Sequence, residues 1–325
     1  MIQIGSIERK LIRELGNDAR QSYKELAKKI KSKKEVVAYH ITKLEREGVI
    51  KKYMPVFSQA RLGITVYKIY VRFQGLSSEL EGEMIKELEK SPYVNWIAKS
   101  VGTWDLMLAF YCRNILEFAE HKSQLLFKKY GKYIQDYTIS ILEDALVYTR
   151  DYLINAHTRE RPGLIYCGSL IEEKIDENQK EIIRLIRNNA RYEVADLARR
   201  LKLNVKTVMN KIKDLENRKI IQGHITTVDQ EKLGVVFFKV QIFFQDYSDE
   251  QYRKVLNFCK SNKYVVNLMK SVSDWEIELE VEAETSKEVY QFAKDLRITF
   301  PTILKKVDLH IITKEIKVDY LPAWF

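Results

Sequence analysis

Cysteine is nearly absent from the 325 residues. The three present, Cys112, Cys167 and Cys259, are odd in number, widely spaced and form no CxxC pair. This argues against a disulfide frame or a cysteine-built zinc site and fits a reducing compartment, so a cytoplasmic protein without metal or cofactor is expected. The 5 prolines and 12 glycines are too few for a collagen-like or low-complexity chain. Long apolar runs are missing too. None approaches the roughly 18 residues that a membrane span needs, and the opening MIQIGSIERK has no apolar stretch of the signal-peptide kind, so no membrane partner is expected. The remaining composition, 46% hydrophobic and 31% charged, is that of a folded protein with sizeable cores.

The chain repeats itself at a spacing of 171 residues. Asn17, Ala19, Arg20, Leu26, Ala27 and Lys31 recur as Asn188, Ala190, Arg191, Leu197, Ala198 and Lys202. Val37, Ile41, Leu44, Glu45 and Ile50 recur as Val208, Ile212, Leu215, Glu216 and Ile221, and the register holds through Leu62-Gly63 with Leu233-Gly234 and Trp104 with Trp275. One slipped residue then aligns 134–142 with 304–312. Two copies of so long a unit make an internal duplication rather than a solenoid.

The net charge of +10 gathers at the start of each copy. Residues 1–54 hold 14 Lys+Arg against 7 Asp+Glu and residues 171–225 hold 13 against 9, while 55–170 hold 14 against 13 and 226–325 hold 14 against 16. Clustered basic charge is the footprint of a polyanion partner.

Those basic segments read as three helices and the first strand of a wing. Ile7, Leu11, Ile12 and Leu15 share one face, with Gly16 ending the helix. Ser22 opens a second helix with Leu26, Ala27 and Ile30 inward. Ser32-Lys33-Lys34-Glu35 reads as a capping box before a third helix that carries Val37, Ile41 and Leu44 and stops at Gly48. Residues 49–53 then form the wing strand. In the second copy Asn204 caps the third helix and Lys219 replaces the stopping glycine. A basic, amphipathic helix after a tight turn can lie in the major groove. Its outward face offers Lys33, Lys34, Ala38, Tyr39, Thr42 and Lys43 in the first copy, and Lys206, Thr207, Asn210, Lys211 and Lys213 in the second. The lysines suit phosphates, whereas Tyr39, His40, Thr207 and Asn210 are of types that reach base edges.

The rest of each copy alternates strand and helix. Strands are expected at 64–73, 94–101, 106–111 and 134–142, and helices at 78–90 and 115–130. The second copy matches with strands at 235–244, 265–271, 275–281 and 303–313, and helices at 248–260 and 286–299. The order βαββαβ is the ferredoxin-like plan. The expected fold class is therefore α+β, two copies of a winged helix-turn-helix domain followed by a βαββαβ domain. The segments are 1–54, 62–150, a linker at 151–170 containing Arg161-Pro162-Gly163, 171–225 and 233–325.

The run Asn17-x-Ala19-Arg20, Glu25-Leu26-Ala27 and Leu44-Glu45-x-x-Gly48-Val49-Ile50-x-x-Tyr53, followed by Leu62-Gly63 and a Gly102-x-x-Asp105 turn, resembles the Lrp/AsnC family of leucine-responsive and feast/famine transcription regulators. The resemblance covers the whole chain, twice. It implies binding of double-stranded DNA, pairing of βαββαβ domains and a small-molecule effector such as an amino acid. Here the pairing becomes an intrachain pseudo-dimer, with further homo-oligomerisation expected. The family's ligand turn is Gly102, Thr103 and Asp105 in the first copy. The second has Ser273-Asp274-Trp275-Glu276, so the effector site is expected in the first copy alone.

Two alternatives stand beside the regulator. Siroheme decarboxylases resemble Lrp/AsnC proteins in fold and would need histidine and basic side chains around a tetrapyrrole. The strand at 63–73 has no histidine, and His40, His121, His157, His224 and His310 are scattered. No P-loop, paired acid/base motif or nucleophile elbow is present, so the chain is expected not to be an enzyme. The other alternative is a ligand sensor that has lost DNA, against which the basic excess of both helix-turn-helix units argues.

Overall fold

Each half starts with short amphipathic helices that bury one face. In the computed structural model, which describes residues 4–155, 161–168 and 170–325, the first half runs α1 (Ser6–Asn17), α2 (Tyr23–Ile30), α3 (Lys34–Arg46), β1 (Ile50–Phe57), β2 (Thr65–Phe73), α4 (Ser78–Lys90), β3 (Val94–Val101) and β4 (Leu106–Cys112). It continues with α5 (Ile115–Lys122), which passes through a π-helical turn (Ser123–Phe127) into α6 (Lys128–Tyr130), then β5 (Ile134–Val147) and the short β6 (Leu164–Ile165). The second half runs α7 (Glu177–Ile186), α8 (Val194–Leu201), α9 (Val205–Asn217), β7 (Ile221–Val228), α10 (Gln230–Leu233), β8 (Val236–Phe244), α11 (Asp249–Ser261), β9 (Val265–Val272), β10 (Ile277–Ala283), α12 (Ser286–Thr299) and β11 (Leu304–Val318). Residues 156–160 and 169 of the expected linker, His157 included, lie outside the described residues.

The strands β5 and β11 run five residues past the ends that alternation suggested, and the extra length joins the halves. The first part of β5 pairs with β2 and its last part with β9. The first part of β11 pairs with β8 and its last part with β3. The strand order is β2-β4-β3-β11-β8-β10-β9-β5, and β5 returns to β2. Two four-stranded ferredoxin-like sheets thus become one closed antiparallel barrel of eight strands. Closure pairs the sheet edges that each half alone would leave open. Helices cover the outside: α4 and α5 pack Met84, Leu88 and Phe118 on Ile69, Leu108 and Phe110, and α11 and α12 pack Val255, Phe292 and Leu296 on Val240 and Leu279. Among the described residues no helix is long and apolar enough to cross a membrane.

The wing strands β1 and β7 pair antiparallel with each other. The two helix-turn-helix units are thereby tied across the pseudo-two-fold: Ala19 N–H donates to the His224 carbonyl, and its counterpart Ala190 N–H donates to that of Tyr53, both at 2.8 Å.

One expected cap is displaced. Ser32 precedes α3 but does not cap it; the N-cap is Lys33, which makes no side-chain bond. The capping box belongs to α2, where Ser22 accepts from Glu25 N–H and the Glu25 carboxylate accepts from Ser22 N–H at 2.8 Å. The S-x-x-E pattern occurs at both places, and the left-handed turn at Lys31 (φ 54) decides between them by starting the next helix a residue later. Asn204 caps α9 as expected, accepting from Thr207 N–H at 2.7 Å.

Candidate nucleic-acid interface and barrel interior

The helix α3 turns Val37, Ile41 and Leu44 into the unit's core and leaves Lys33, Lys34, Tyr39 and Thr42 exposed, with Ala38 half-buried. Tyr39 is 64% exposed, so a large aromatic is left on the surface next to lysines. Two expected contacts are engaged elsewhere. Buried Glu8 of α1 accepts from Lys43 Nζ at 2.8 Å and lies 3.2 Å from His40 Nδ1. Burial alone would raise the Glu8 carboxyl, but Lys43, the Gly5 N–H and His40 hold it below its usual value. Lys43 and His40 therefore clamp α3 to α1 instead of standing free. On α9, Lys206, Asn210 and Lys213 are exposed and Thr207 is half-buried. Lys211 Nζ is 2.6 Å from Asp176, the N-cap of α7. Sequence reasoning passed over Val205 and Met209, apolar side chains 44% and 55% exposed on the same face.

The turn expected to hold an effector has another occupation. Gly102 (φ +142) abuts β11: a Cβ there would come 2.8 Å from His310 Nδ1. The Asp105 carboxylate accepts from Phe73 N–H at 2.8 Å. In the second half Glu276 accepts from the cognate Phe244 N–H at 3.0 Å. The two carboxylates thus do one job, closing the end of β2 and of β8. Register explains the glycine as well. Val101 pairs with Ile311, which sets Gly102 beside His310. Val272 pairs with Ile141, which sets Ser273 beside Ser140. Glycine faces an imidazole where serine faces a serine. The glycine-to-serine difference between the turns follows packing volume; Thr103 is exposed, and Asp105 also lines an open pocket with Phe73, Lys99, Ser100 and Thr313.

The chemistry that sequence reasoning missed lies inside the barrel. Lys68 of β2 and its counterpart Lys239 of β8 are buried, at 3% and 0% exposure. Both meet Glu278 of β10, Lys239 at 3.1 Å, and Tyr70 also donates to that carboxylate. Lys239 reaches Glu280 at 2.6 Å as well. Burial would raise the Glu278 carboxyl, but Lys239 and Lys68 bring it down to about 2. Desolvation pulls the Lys68 ammonium down to about 8, whereas the two carboxylates beside Lys239 raise that one against its burial. Further along, Arg150 holds Glu282 through two bonds of 2.7 and 3.0 Å. A cavity of about 90 Å³ lies among these groups and is lined by Trp96, Tyr111, Tyr166, Glu280, Glu315 and Tyr320, among others. The signal was present in β10: Ile277-Glu278-Leu279-Glu280-Val281-Glu282 alternates as a solvated strand does. Its counterpart in β4 has Met107, Ala109 and Tyr111 at the glutamate positions, which is not a solvated face.

The family profile described as winged helix-turn-helix DNA-binding matches residues 6–51 and 175–222. An uncharacterized HTH-type transcriptional regulator of Pyrococcus horikoshii is 30% identical over 116 residues, 35% of this chain and 77% of the relative. An AsnC family transcriptional regulator from Agrobacterium tumefaciens covers 45% of this chain and 94% of its own length, at 20% identity and a TM-score of 0.41. The crystal structure of the siroheme decarboxylase NirDL, in complex with an iron-uroporphyrin III analogue, covers 97% of this chain and 94% of its own, at 14% identity and a TM-score of 0.61. That last match corrects the expectation that the chain is not an enzyme, because the fold over nearly its whole length is one that an enzyme uses. The expectation rested on scattered histidines and on the lack of local catalytic motifs, and the cavity arises only when the two halves close on each other.

The cavity's own residues do not fit a tetrapyrrole of the uroporphyrin type. Such a ring is fringed with carboxylates and calls for free Arg or Lys. Here the lining carries Lys68 and Arg150 against Glu280, Glu282, Glu315 and Asp319, and no histidine. Both cations are already paired with glutamates. The likeness to the decarboxylase is one of fold, whereas the likeness to the Pyrococcus regulator runs through the sequence of most of that protein. The chain belongs to the helix-turn-helix transcriptional regulators and carries the winged helix-turn-helix unit twice in one polypeptide.

Proposed function

We propose that one chain acts as a sequence-specific DNA-binding transcription regulator with two unlike reading heads. The observation that carries this is the pair of exposed helix faces α3 and α9, tied in one pseudo-two-fold frame by β1 and β7 yet different at cognate positions. Tyr39 stands where the second half has Asn210, Lys34 where it has Val205, and Thr42 where it has Lys213. Lys33, Lys34, Lys206 and Lys213 serve the phosphates, and Tyr39 and Asn210 the base edges. A symmetric dimer mirrors a palindrome; unlike heads call for two unlike half-sites.

The test is binding of the full chain to DNA selected from a random library. The expected site is an imperfect palindrome. Asn210→Ala then costs about 1–3 kcal/mol of discrimination in one half-site only, while Lys34→Ala weakens all sequences alike and lowers the salt slope by about 1. Equal preference for perfect palindromes of either half-site would overturn the reading.

A further inference from the structure

Every cation that lines the barrel cavity is already spoken for. Lys68 is bound to Glu278, and Arg150 to Glu282 through two bonds. The carboxylates are not equally matched. Glu315 accepts from Trp96 Nε1 at 2.9 Å, and no other donor reaches it among the described residues. Two tyrosines that line the same space, Tyr111 and Tyr166, are only 5% and 7% exposed, yet neither hydroxyl has a hydrogen-bond partner among the described residues. Neither hydroxyl oxygen is fully enclosed, so both open on the cavity. Of the four carboxylates in the lining, Glu282 is paired with Arg150, Glu280 with Lys239, and Asp319 with Lys52 and Arg187, which leaves Glu315 without an ion-pair partner among the described residues.

These groups narrow the occupant. An anion meets the unpaired Glu315 and finds no free cation among the described lining residues. A zwitterion finds its ammonium partner but no free cation for its own carboxylate. Among the described residues no three His, Cys, Asp or Glu side chains are placed to hold a metal ion. A cation with an apolar body meets both Glu315 and the rings of the lining tyrosines, the Trp96 ring already having Lys68 and Lys239 over it at 5.0 and 4.5 Å. We propose that the barrel cavity binds a small organic cation, a primary amine on an aromatic or aliphatic body. The ammonium sits at Glu315 with Glu280 near it, and Tyr111 and Tyr166 supply hydrogen-bonding hydroxyls. This site is separate from the DNA-facing helices and does not depend on the regulator reading.

The electrostatics give the site a pH signature. Burial, and then Glu280, push the Glu315 carboxyl up to about 7. The charged groups that act on it are Glu280 and Glu282 of β10, Lys51 of β1, and Arg150 after β5. A bound ammonium supplies the missing countercharge, so binding favours the ionised carboxylate and strengthens as pH rises through 7. A primary amine stays protonated over that range.

Calorimetry on the full chain tests this with tyramine, tryptamine and agmatine, against 4-hydroxyphenylacetate and iron uroporphyrin. The expected result is saturable binding of at least one amine near one per chain, tighter at pH 8 than at pH 6. Glu315→Gln, which keeps an acceptor for Trp96, should lower affinity by about tenfold or more, since a charge-assisted hydrogen bond is lost. Tyr111→Phe should lower it severalfold without changing the melting temperature by more than a few degrees. Absence of binding by all three amines, equal or tighter binding of either anion, or amine affinity unchanged in both variants would overturn the proposal.

Discussion

The strands β4 and β10 occupy the same place in the two halves, and their inward faces could hardly differ more. β4 sends in Met107, Ala109 and Tyr111; β10 sends in Glu278, Glu280 and Glu282. The facing lysine is kept in both halves, as Lys68 and Lys239. A homodimer of the first half would bury two lysines with no carboxylate from β4. A homodimer of the second would bury six glutamates from β10 around two lysines. Only the mixed barrel brings both lysines to one Glu278, with Glu280 taking the second bond of Lys239. Fusing two copies in one chain removes the rule that each inward residue appear twice, and here the freed positions carry the charge. The same pairing acts as a specificity device, because neither half is well served by its own kind.

The largest expected effect follows from that junction. Glu278→Ala leaves Lys68 and Lys239 buried with too little countercharge and should cost about 3–5 kcal/mol of stability, read as a fall in the urea midpoint at neutral pH. Met107→Ala, at the cognate position, should cost about 2–5 kcal/mol, as a buried Met truncation does, but without pH dependence. The pH profile separates the two. Glu278 is held well below the ordinary carboxyl value of 4.5, so its contribution is full above that value and fades as pH falls toward about 2. Glu278→Gln should flatten the acid side of the stability curve, and Met107→Ala should leave its shape alone. A shared pH profile for both variants would break the comparison.

How much of this was legible depends on whether the cause was local. Helices α4 and α12 begin and end where their apolar spacing and flanking residues put them. The duplication located the second half from the first. The tails of β5 and β11 were not legible, because they pair with strands more than a hundred residues away and their alternation ends where they leave their own sheet. The barrel glutamates were hidden for the same reason. Alternating Glu and aliphatic residues describe a half-solvated strand until something covers the charged face. Of the DNA-facing set, Lys33, Lys34, Tyr39 and Asn210 are exposed as their helix phase required. Lys43, His40 and Lys211 are tied to acids on α1 or at the N-cap of α7, which no phase within α3 or α9 could indicate.

The two turns make a second comparison, with smaller stakes. Gly102→Ser imposes on the first half the residue of the second. The left-handed φ and the 2.8 Å approach to His310 make that costly, about 1–3 kcal/mol. His310→Ser on that background should recover part of the loss, because Ser140 is what Ser273 faces. A double-mutant cycle of thermal stabilities measures the coupling, and additivity would sink the volume argument. The helix stops compare likewise. Gly48 (φ 70) ends α3 and Lys219 (φ 58) ends α9 in the same left-handed conformation. Lys219→Gly should stabilise the second unit by about 1 kcal/mol. A destabilised Lys219→Gly protein would show instead that the side chain contributes more than its strained backbone costs.

The smallest effects are expected at Asp105 and Glu276, and their equality is what matters. Each carboxylate accepts one strand-end N–H, from Phe73 and Phe244 respectively. Asp105→Asn and Glu276→Gln both keep an oxygen acceptor and lose only charge, so each should shift stability by less than about 0.5 kcal/mol, as substitutions away from buried networks do. Asp105→Ala and Glu276→Ala delete the acceptor and should cost about 1 kcal/mol apiece. Hydrogen exchange at the Phe73 and Phe244 amides gives the local reading: protection is kept in the amide variants and lost in the alanine variants, alike in both halves. If Asp105→Asn alone exposed its amide, the two carboxylates would differ in role after all. Matched behaviour would assign both turns to strand closure and leave the chemical difference between the halves inside the barrel.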